Sequence, residues 1–455
     1  MNPRPNIVFL LADDTGYGDP GCYNPESMTS TPSIDRIAAE GIRFTDAHAS
    51  SALCTPSRYG ILTGRYYWRT PKKHALVMPY EPPVIEPDRV TIASMLKARG
   101  YRTACIGKWH LGLNYPNRDG GYTQEESRID FSRPLGGGPI ELGFDTFFGT
   151  AGCSTSDPPY CFIENDRTVG IPTVPSGDDL HALPGFYPGL MAPDWSEEET
   201  DLRHVEKAIE FIDGGGPFFL YLALSAPHNP WLPPDFLKGA SAEGPRGDMN
   251  ALVDWCVGTI YSALEERGLL DDTLFIVTSD NGPMRGQNGH RSAGYFRGFK
   301  NTAFEGGHRV PFVARWPGAV PEGSVSDEPI SLIDMMATFA ALTGASMPTG
   351  AGEDSYNVLP ALLGRGIGDP ARPAVIADTG GATAVIGDFG IRVGKWKLVI
   401  PGRHTGDPEV RPEGLSLPKF LFDMERDPYE RDNLIDVYPS IVQELEYVFE
   451  RMKRT

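Results

Sequence analysis

Residues 7–11 read I-V-F-L-L, an apolar run of strand length that is soon followed by two acids, Asp13 and Asp14. Runs of the same kind recur at residues 103–106, 218–224 and 274–278. Stretches with the apolar spacing of helices separate them, at residues 33–39, 92–99, 202–212 and 252–267. Near-continuous apolar strands that alternate with helices indicate a mostly parallel central sheet sandwiched by helices, so the predicted fold class is α/β.

A cluster of polar residues follows each of the four apolar runs. The clusters are Asp13-Asp14, Lys108-Trp109-His110, Ser225-Ala226-Pro227-His228 and Ser279-Asp280-Asn281-Gly282. In open α/β sheets, ligands bind beyond the carboxyl ends of the strands. We therefore expect the four clusters to meet at one edge of the sheet and to form a ligand site there.

The last quarter of the chain has a different pattern. Residues 346–381 are rich in Gly, Pro and Asp and weakly periodic, which is typical of a linker with surface loops. Residues 390–400 alternate like a strand of an antiparallel sheet, and residues 438–452 have the spacing of an amphipathic helix. These patterns predict a main domain over residues 1–345 and a smaller C-terminal α+β subdomain over residues 346–455.

Composition excludes several classes of partner. The 455 residues include 41 Lys+Arg and 60 Asp+Glu, a net charge of −19, and no basic run, which argues against nucleic acid or an anionic membrane as the main partner. The apolar run at residues 7–12 is too short for a signal segment or a membrane span. We expect a soluble protein, cytoplasmic as given, or periplasmic or secreted if a leader was removed.

The six cysteines are too few for a disulfide scaffold. Cys153 and Cys161 are close enough in sequence to close one small disulfide loop, and a pair of reduced thiols is the alternative. The sequence leaves both possibilities open.

Residues 54–65 read C-T-P-S-R-Y-G-I-L-T-G-R. Thr55 can cap a helix, a proline suits its first turn and Gly64 can end it, so the segment predicts a two-turn helix with Cys54 just ahead of its N-terminus. The N-terminus of a helix attracts anions, and Arg58 could add a forked contact to a sulfate or phosphate. A bare Cys-x-Pro would more simply be a buried cysteine before an ordinary helix.

The longer string matches all eight specified positions of the signature C-x-P-S-R-x-x-x-L-T-G-R, by which the chain resembles the formylglycine-dependent type I sulfatases, specifically the arylsulfatase A and N-acetylgalactosamine-6-sulfatase branch. The resemblance implies an alkaline phosphatase-like fold. It also implies that a formylglycine-generating or equivalent maturation enzyme oxidises Cys54 to formylglycine, whose hydrated aldehyde is the nucleophile.

Asp13, Asp14, Asp280 and Asn281 offer only oxygen ligands, which suit a hard divalent cation rather than zinc. Either pair alone would more often be a helix cap or a turn. The segments L-L-A-D-D and T-S-D-N-G that contain them resemble the sulfatase motifs, and the resemblance assigns all four residues to one Ca²⁺.

Lys108 and His110 lie in G-K-W-H-L-G, where extended geometry would place them on one face of a strand. Taken alone, the segment could be an ordinary strand end. The family motif is present whole, and the resemblance implies that both residues flank the nucleophile. It similarly implies that His228 and Lys300 bind sulfate and assist the leaving group. The family's sulfate-binding serine is matched less well, with Ser154 as the candidate.

These motifs predict a positively charged pocket, built by Arg58, the two lysines, the two histidines and a metal, that attracts an anion. Exposed charges elsewhere are screened beyond roughly 8 Å at physiological salt, so the acidic surface does not cancel it. The sequence therefore predicts a sulfate monoester hydrolase. In its expected mechanism a formylglycine hydroxyl attacks sulfur, His228 and Lys300 assist the departing alkoxide, and His110 is the candidate base that releases sulfate.

Two alternatives remain at this point. One is a phosphonate or phosphate ester hydrolase of the same superfamily, and the other is an inactive relative that binds sulfated glycans. The motif order favours a sulfated carbohydrate as substrate. Five residues could grip a saccharide or could simply be solvated loop residues, namely His74, Trp231, Arg285, His290 and Arg291. The sequence leaves open the position of the sulfate and the oligomeric state.

Overall fold

The apolar runs form the middle of one large sheet. The structure is a computed structural model that describes residues 4–73, 75–183, 185–367, 372–379, 388–402 and 418–454. Within these ranges the strands are β1 (Asn6–Ala12), β2 (Ile42–Phe44), β3 (Ala47–His48), β4 (Arg102–Lys108), β5 (Thr146–Thr150), β6 (Phe162–Glu164), β7 (Arg167–Val169), β8 (Val174–Pro175), β9 (Leu190–Met191), β10 (Phe218–Ala223), β11 (Thr273–Ser279), β12 (Phe312–Arg315), β13 (Ser324–Ser326), β14 (Ile330–Ser331), β15 (Val375–Asp378), β16 (Phe389–Val393), β17 (Trp396–Ile400) and β18 (Phe420–Asp423).

Helices cover the sheet. In the same described ranges, the α-helices are α1 (Pro32–Ala39), α2 (Cys54–Thr63), α3 (Ile92–Lys97), α4 (Asp178–His181), α5 (Thr200–Ile212), α6 (Pro245–Glu266), α7 (Glu305–His308), α8 (Met335–Thr343), α9 (Leu359–Leu362) and α10 (Pro439–Arg454). No helix among the described residues is both long and apolar enough to cross a bilayer.

The large sheet has the strand order β13-β2-β12-β11-β1-β10-β4-β5-β6-β7 across the described residues. Its middle, from β11 to β5, is parallel, whereas β12 and β6 join it antiparallel. In β1, Ile7, Phe9 and Leu11 point into one core and Val8 and Leu10 into the other. Burial on both faces explains why the run is apolar at every position rather than at every second one.

Each core is closed by its own set of helices. Helices α2, α3 and α8 pack on one face of the sheet, and α1, α5 and α6 pack on the other. The predicted α/β class, with a mostly parallel sheet between helices, is confirmed. Helix α6 begins at Pro245, seven residues earlier than its apolar spacing indicates, because its first turn is stabilised by ion pairs from Arg246 to Asp19 and Glu243 instead of by apolar contacts.

A separate four-stranded antiparallel sheet, β15-β16-β17-β18, carries α10 and forms the predicted small C-terminal unit. Two details of the prediction were wrong. Residues 390–400 are not one strand but most of a hairpin, because Gly394 takes a left-handed conformation (φ 55°) that turns the chain back. Residues 346–381 are not only linker, since they include α9 and the edge strand β15. The domain boundary at residue 345 stays a prediction.

A buried lysine connects the C-terminal sheet with helix α7. Lys397, on β17, places its Nζ 2.8 Å from Glu305 Oε1, 2.7 Å from Glu430 Oε1 and 3.0 Å from His308 Nε2. Glu305 and His308 form the ends of α7 in the main domain, whereas Lys397 and Glu430 come from the C-terminal unit. All four side chains are almost completely excluded from solvent. The Lys397 ammonium group is therefore the shared counter-ion of Glu305 and Glu430.

We expect Lys397→Met to lower the free energy of unfolding by about 3–5 kcal/mol, because it removes the shared cation of two buried carboxylates and leaves Glu305 with only its 3.4 Å ion pair to Arg309 among the described residues. Chemical unfolding followed by circular dichroism measures the change. Lys395→Met is the matched control, since Lys395 is more exposed and forms an ion pair with Asp423 at 2.9 Å, so its loss should cost less than about 1 kcal/mol. Equal losses of unfolding free energy in the two variants would contradict this role of Lys397.

Candidate active site

The four polar clusters meet at the carboxyl edge of the parallel strands. Backbone hydrogen bonds hold the strand ends together, from Asp13 N to Ala226 O and from Asp280 N to Ala12 O, both at 3.0 Å. Side chains from β1, β4, β10 and β11 thereby reach one buried site, where Cys54 joins them from α2. The parallel register thus brings together residues that are up to 268 positions apart in the chain (13 to 281).

Helix α2 begins at Cys54 itself and runs for ten residues, so it is longer than the two turns predicted. Gly64 ends it in a left-handed conformation (φ 64°), as predicted, but Thr55 is not its cap. The N-cap residue is Leu53, and the Thr55 hydroxyl instead donates to the carbonyl oxygen of His110 at 3.0 Å. The threonine therefore ties the helix to the loop after β4.

Three carboxylates and one amide form the possible metal site. Ligand atoms of Asp13, Asp14, Cys54 and Asp280 lie within 4.8 Å of one another, and all four residues are buried. Asn281 donates to Asp14 Oδ1 at 2.6 Å, whereas its own Oδ1 is buried without a hydrogen-bond partner. Burial and the nearby charge of Asp13 raise the pKa of Asp280 to about 6. This oxygen donor set fits a hard divalent cation such as calcium.

Three cationic side chains contact these carboxylates. Lys108 Nζ lies 2.5 Å from Asp13 Oδ2, Arg58 Nε lies 2.9 Å from Asp280 Oδ2, and Lys300 Nζ lies 2.7 Å from Asp14 Oδ2. The sequence analysis predicted that these residues meet at one site, and in the structure they lie together.

The charges set the protonation of Cys54 and of the groups around it. Burial alone would raise the pKa of Asp13, but the charges of Lys108 and His228 hold it well below its ordinary value. Burial, together with the charge of Asp13, raises the pKa of the Cys54 thiol well above its ordinary value. Cys54 Sγ lies 3.5 Å from Asp13 Oδ1. An unmodified Cys54 is therefore a protonated thiol and a poor nucleophile here.

The two histidines lie beside the same site. His110 takes a left-handed backbone conformation (φ 56°) because β4 ends at Lys108, so the expected extended arrangement of the two on one strand face was wrong. His110 Nε2 is 3.0 Å from the carbonyl oxygen of Val77. His228 Nδ1 is 2.5 Å from the carbonyl oxygen of Asn229, and its Nε2 is 3.9 Å from Asp14 Oδ2.

Cys153 is the residue that sequence reasoning did not place in the site. Its Sγ lies 3.6 Å from His228 Nε2 and 4.0 Å from His110 Nδ1. All six cysteines are free thiols, so Cys153 and Cys161 are not bonded to each other. The sequence around a single cysteine does not indicate this contact. The contact depends on how the loops that follow β4, β5 and β10 fold against one another.

The residues that the sequence analysis offered as further contacts for the substrate lie in different environments. Ser154 is buried, and its Oγ lacks a hydrogen-bond partner. Trp231 is partly buried and donates from Nε1 to the carbonyl oxygen of Pro227 at 3.0 Å. His74 lies outside the described residues.

The remaining candidates lie on the loop after β11. His290 is not a solvated loop residue as expected, because its side chain is fully buried and its Nε2 lies 2.8 Å from Asp19 Oδ1. It belongs to the ionic cluster at the start of α6 and is not available to grip a saccharide. Arg291 is exposed and lies over the ring of Tyr295, and Arg285 lies over the ring of Phe299.

Comparison with known proteins settles the family. The model of the Sulfatase family matches residues 5–345. The chain belongs to the sulfatase family. The sulfatase is 32% identical to N-acetylgalactosamine-6-O-sulfatase of Bacteroides thetaiotaomicron, over 99% of this chain and 93% of that protein. It is 35% identical to human arylsulfatase A, over 97% of this chain and 86% of that protein.

A solved structure concerned with the metabolism of multiple glycosaminoglycans by Bacteroides thetaiotaomicron is 31% identical and superposes with a TM-score of 0.87 over the whole of both chains. A phosphonate monoester hydrolase of Agrobacterium radiobacter, 18% identical, shares the fold with a TM-score of 0.63 over 98% of this sulfatase and 96% of that chain. The predicted family, the alkaline phosphatase-like fold and the enzyme class of sulfuric ester hydrolase are confirmed.

Gly107 sets the spacing of the strands that carry Lys108 and the loop of His228. Its φ is 109°, and a Cβ there would lie 1.8 Å from the carbonyl oxygen of Ala223 on β10. Neither backbone can move without disturbing the parallel register between β4 and β10. A side chain at residue 107 would therefore push apart the strand ends that form the site.

We expect Gly107→Ala to lower the free energy of unfolding by about 3 kcal/mol or more, through the steric clash and the strained backbone together. Gly215→Ala is the control, since Gly215 also has a positive φ (77°) but open space around it, so only the backbone cost of about 1–2 kcal/mol applies. Thermal unfolding by calorimetry compares the two. If Gly107→Ala proved the milder change, the close approach of the strands would not be what constrains residue 107.

Proposed function

We propose that this sulfatase hydrolyses sulfate monoesters of a carbohydrate at the site around Cys54, with one calcium ion bound. The observation that supports this is the meeting of a helix N-terminus, three buried carboxylates and three buried cations at one sulfur atom. A helix N-terminus and clustered cations suit a sulfate group, and clustered carboxylates suit a hard metal ion.

Asp13, Asp14, Asp280 and Asn281 would hold the calcium ion, whose charge would help to stabilise anionic oxygen. Oxidised to formylglycine by a maturation enzyme, residue 54 would supply a hydrated aldehyde as nucleophile. The buried, unpartnered Oδ1 of Asn281 and the all-oxygen donor set support the calcium assignment.

Arg58 and Lys108 would orient the reacting groups. Arg58 Nη1 donates to the carbonyl oxygen of Lys108 at 2.8 Å and its Nε to Asp280, so the guanidinium plane is fixed. Its Nη2 is buried without a hydrogen-bond partner, which leaves donors for an oxygen of the ligand. Fixed donors of this kind stabilise developing negative charge without reorganising during the reaction.

His228 and Lys300 would assist the leaving oxygen. Burial disfavours the imidazolium, yet the charges of Cys153 and Asp13 raise the pKa of His228 to about 9, so the ring carries a proton at neutral pH. Its Nε2 proton is the one available, because Nδ1 faces a carbonyl oxygen. Lys300 also keeps its proton, since the carboxylate of Asp14 outweighs burial and raises the pKa of its ammonium. Both groups can therefore act as acids.

His110 would act as the base that releases sulfate. The Val77 carbonyl oxygen accepts a hydrogen bond only from a protonated Nε2, so the neutral ring has its lone pair on Nδ1. That nitrogen faces the interior of the site and can take up a proton.

We expect Cys54→Ala to lower kcat/KM for an aryl sulfate by about 10³-fold or more, because it removes the atom that becomes the nucleophile. Cys256→Ala is the matched control, since Cys256 is equally buried but lies in α6 within the second core. Release of the aryl alcohol is followed by absorbance, and intact mass reports the state of residue 54. Undiminished turnover by Cys54→Ala would refute the proposed nucleophile.

A sulfated sugar is the proposed substrate class, supported by the N-acetylgalactosamine-6-O-sulfatase relative over nearly its whole length. We expect kcat/KM to be higher for a sulfated N-acetylgalactosamine than for the same sugar phosphorylated, because the family motifs are those of sulfatases. A panel of sulfated glycans, with the released position identified by mass spectrometry, measures the preference. Faster turnover of the phosphate ester would instead favour the phosphoester hydrolase.

A further inference from the structure

Asp157 is a largely buried carboxylate beside His110 that has no part in the mechanism proposed above. Its Oδ2 lies 3.8 Å from His110 Nε2, and its side chain is only 11% exposed. Among the residues that the structure describes, it is the only carboxylate within 4.0 Å of a nitrogen of this histidine. Glu81 lines the same small cavity, but its carboxylate is paired with Lys72. A carboxylate next to a catalytic imidazole can fix the tautomer of the ring and stabilise its cation.

The turn after β5 holds the Asp157 carboxylate in place. The backbone N–H of Cys153 donates to Asp157 Oδ2 at 2.9 Å, and the backbone N–H of Asp157 donates to the Cys153 carbonyl oxygen at 2.8 Å. Gly152 leaves room for the carboxylate, since a Cβ there would lie 2.9 Å from Oδ2. The backbone N–H of His110 donates to the Ala151 carbonyl oxygen at 2.9 Å. The same turn therefore fixes both the carboxylate and the loop that carries the histidine.

The backbone decides which nitrogen of His110 carries the hydrogen. Nε2 lies 3.0 Å from the Val77 carbonyl oxygen, which can only accept, so the neutral ring has its hydrogen on Nε2 and its lone pair on Nδ1. Asp157 lies on the Nε2 side of the ring, where its negative charge favours the same tautomer. At 3.8 Å the contact is too long for a hydrogen bond, so Asp157 acts through its charge.

The negative charge of Asp157 matters more once the ring has taken up a proton. A proton accepted by Nδ1 makes the ring positive, while the carboxylate stays negative, and the pair becomes neutral as a whole. No proton moves to Asp157. Opposite charges attract more strongly in a buried site than in water, so the carboxylate lowers the free energy of the protonated ring.

The other ionisable groups around Asp157 do not replace it in this role. Those that face its carboxylate are Cys153, His110, Lys108, Tyr115 and Tyr160. Lys108 already has Asp13 as its counter-ion at 2.5 Å. Burial raises the pKa of both tyrosines, so they are neutral at neutral pH. Cys153 faces the opposite nitrogen of the histidine, with its Sγ 4.0 Å from Nδ1. The Nε2 side of the ring is therefore left to Asp157.

Asp157 is charged in the neutral pH range. Burial and the charge of Cys153 raise the pKa of Asp157 to about 6, while the charge of His110 and the Cys153 N–H oppose the rise. The carboxylate is therefore mostly ionised at neutral pH and becomes uncharged as the pH falls below about 6. Its stabilisation of the protonated ring is present above that pH and is lost below it.

We propose that Asp157 is the positioning residue of His110, keeping the hydrogen of the ring on Nε2 and stabilising the ring after Nδ1 has accepted a proton. The role of His110 as the base rests on the proposed function, whereas the charge pairing of the two side chains does not. Because Asp157 acts through the ring and not on the substrate, its loss should slow turnover without weakening substrate binding.

The charge pairing is tested without turnover, by NMR of the full chain carrying isotope-labelled histidine. The His110 signal is assigned by its absence in His110→Gln. We expect the neutral ring to carry its hydrogen on Nε2 and none on Nδ1. In Asp157→Asn the pH midpoint of this signal should fall by about half a pH unit or more, because the protonated ring loses its counter-charge. Asp157→Glu should move the midpoint back toward the wild-type value.

Glu126→Gln is the matched control for the loss of a carboxylate nearby. Glu126 accepts from Tyr80 and from the backbone N–H of Leu190, and it forms no ion pair with His110 in the part of the chain that the structure describes. Its variant should leave the midpoint unchanged. A wild-type ring with its hydrogen on Nδ1 would overturn the proposal, and so would a midpoint that Asp157→Asn leaves unchanged. The first outcome needs no variant, and thermal unfolding verifies that each variant is folded.

Turnover of an aryl sulfate is measured separately, so that failure of the proposed function can be told from failure of the pairing. We expect Asp157→Asn to lower kcat about tenfold or more and to change KM less than about threefold. The fall of kcat at acid pH should move to lower pH together with the NMR midpoint, because only the unprotonated ring acts as a base.

The two variants that serve as comparisons complete the turnover test. Asp157→Glu should recover part of the lost kcat, and Glu126→Gln should keep the wild-type kcat. A lowered NMR midpoint with unchanged kcat in Asp157→Asn would contradict the role of His110 as the base, which belongs to the proposed function. An unchanged midpoint would instead overturn the role of Asp157, whatever the rate.

Discussion

The burial of three carboxylates beside three cations at the edge of the parallel sheet is the constraint on which the site depends. Asp13, Asp14 and Asp280 each contact at least one cationic side chain directly, so no carboxylate faces the others uncompensated. Removing charges from water costs several kcal/mol per ion, and only close pairing offsets it. The strands hold these groups in position because their own burial, on both faces, supplies the stability that the charged cluster does not.

The same constraint links the site to the C-terminal unit. Lys300, which pairs with Asp14, lies five residues before Glu305, and Glu305 is held by Lys397 from the second sheet. The backbone N–H of Glu305 also donates to Glu430 Oε2 at 2.7 Å. The C-terminal unit therefore does more than extend the fold, since it anchors the segment that brings one cation to the carboxylates.

Sequence patterns could predict whatever depends on periodicity or on a complete motif. The both-face burial of β1 requires an unbroken apolar run, so the parallel sheet and the meeting of Asp13 with Asp280 follow from it. Local rules failed where a distant contact decided the outcome. Thr55 has the right chemistry for a cap, but the His110 carbonyl oxygen takes its hydroxyl. His290 lies on the loop after β11, but its ion pair with Asp19 places it in the interior.

Cys153 illustrates the limit most clearly, because its environment is assembled only by the loops after three different strands. A buried cysteine is ordinarily a small apolar residue, and nothing in its neighbouring sequence indicates otherwise. Here His228 Nε2 and His110 Nδ1 face it, because backbone carbonyl oxygens are bonded to the other nitrogen of each ring. The contact between Cys153 and the two histidines can therefore be found from the folded structure and not from the sequence around residue 153.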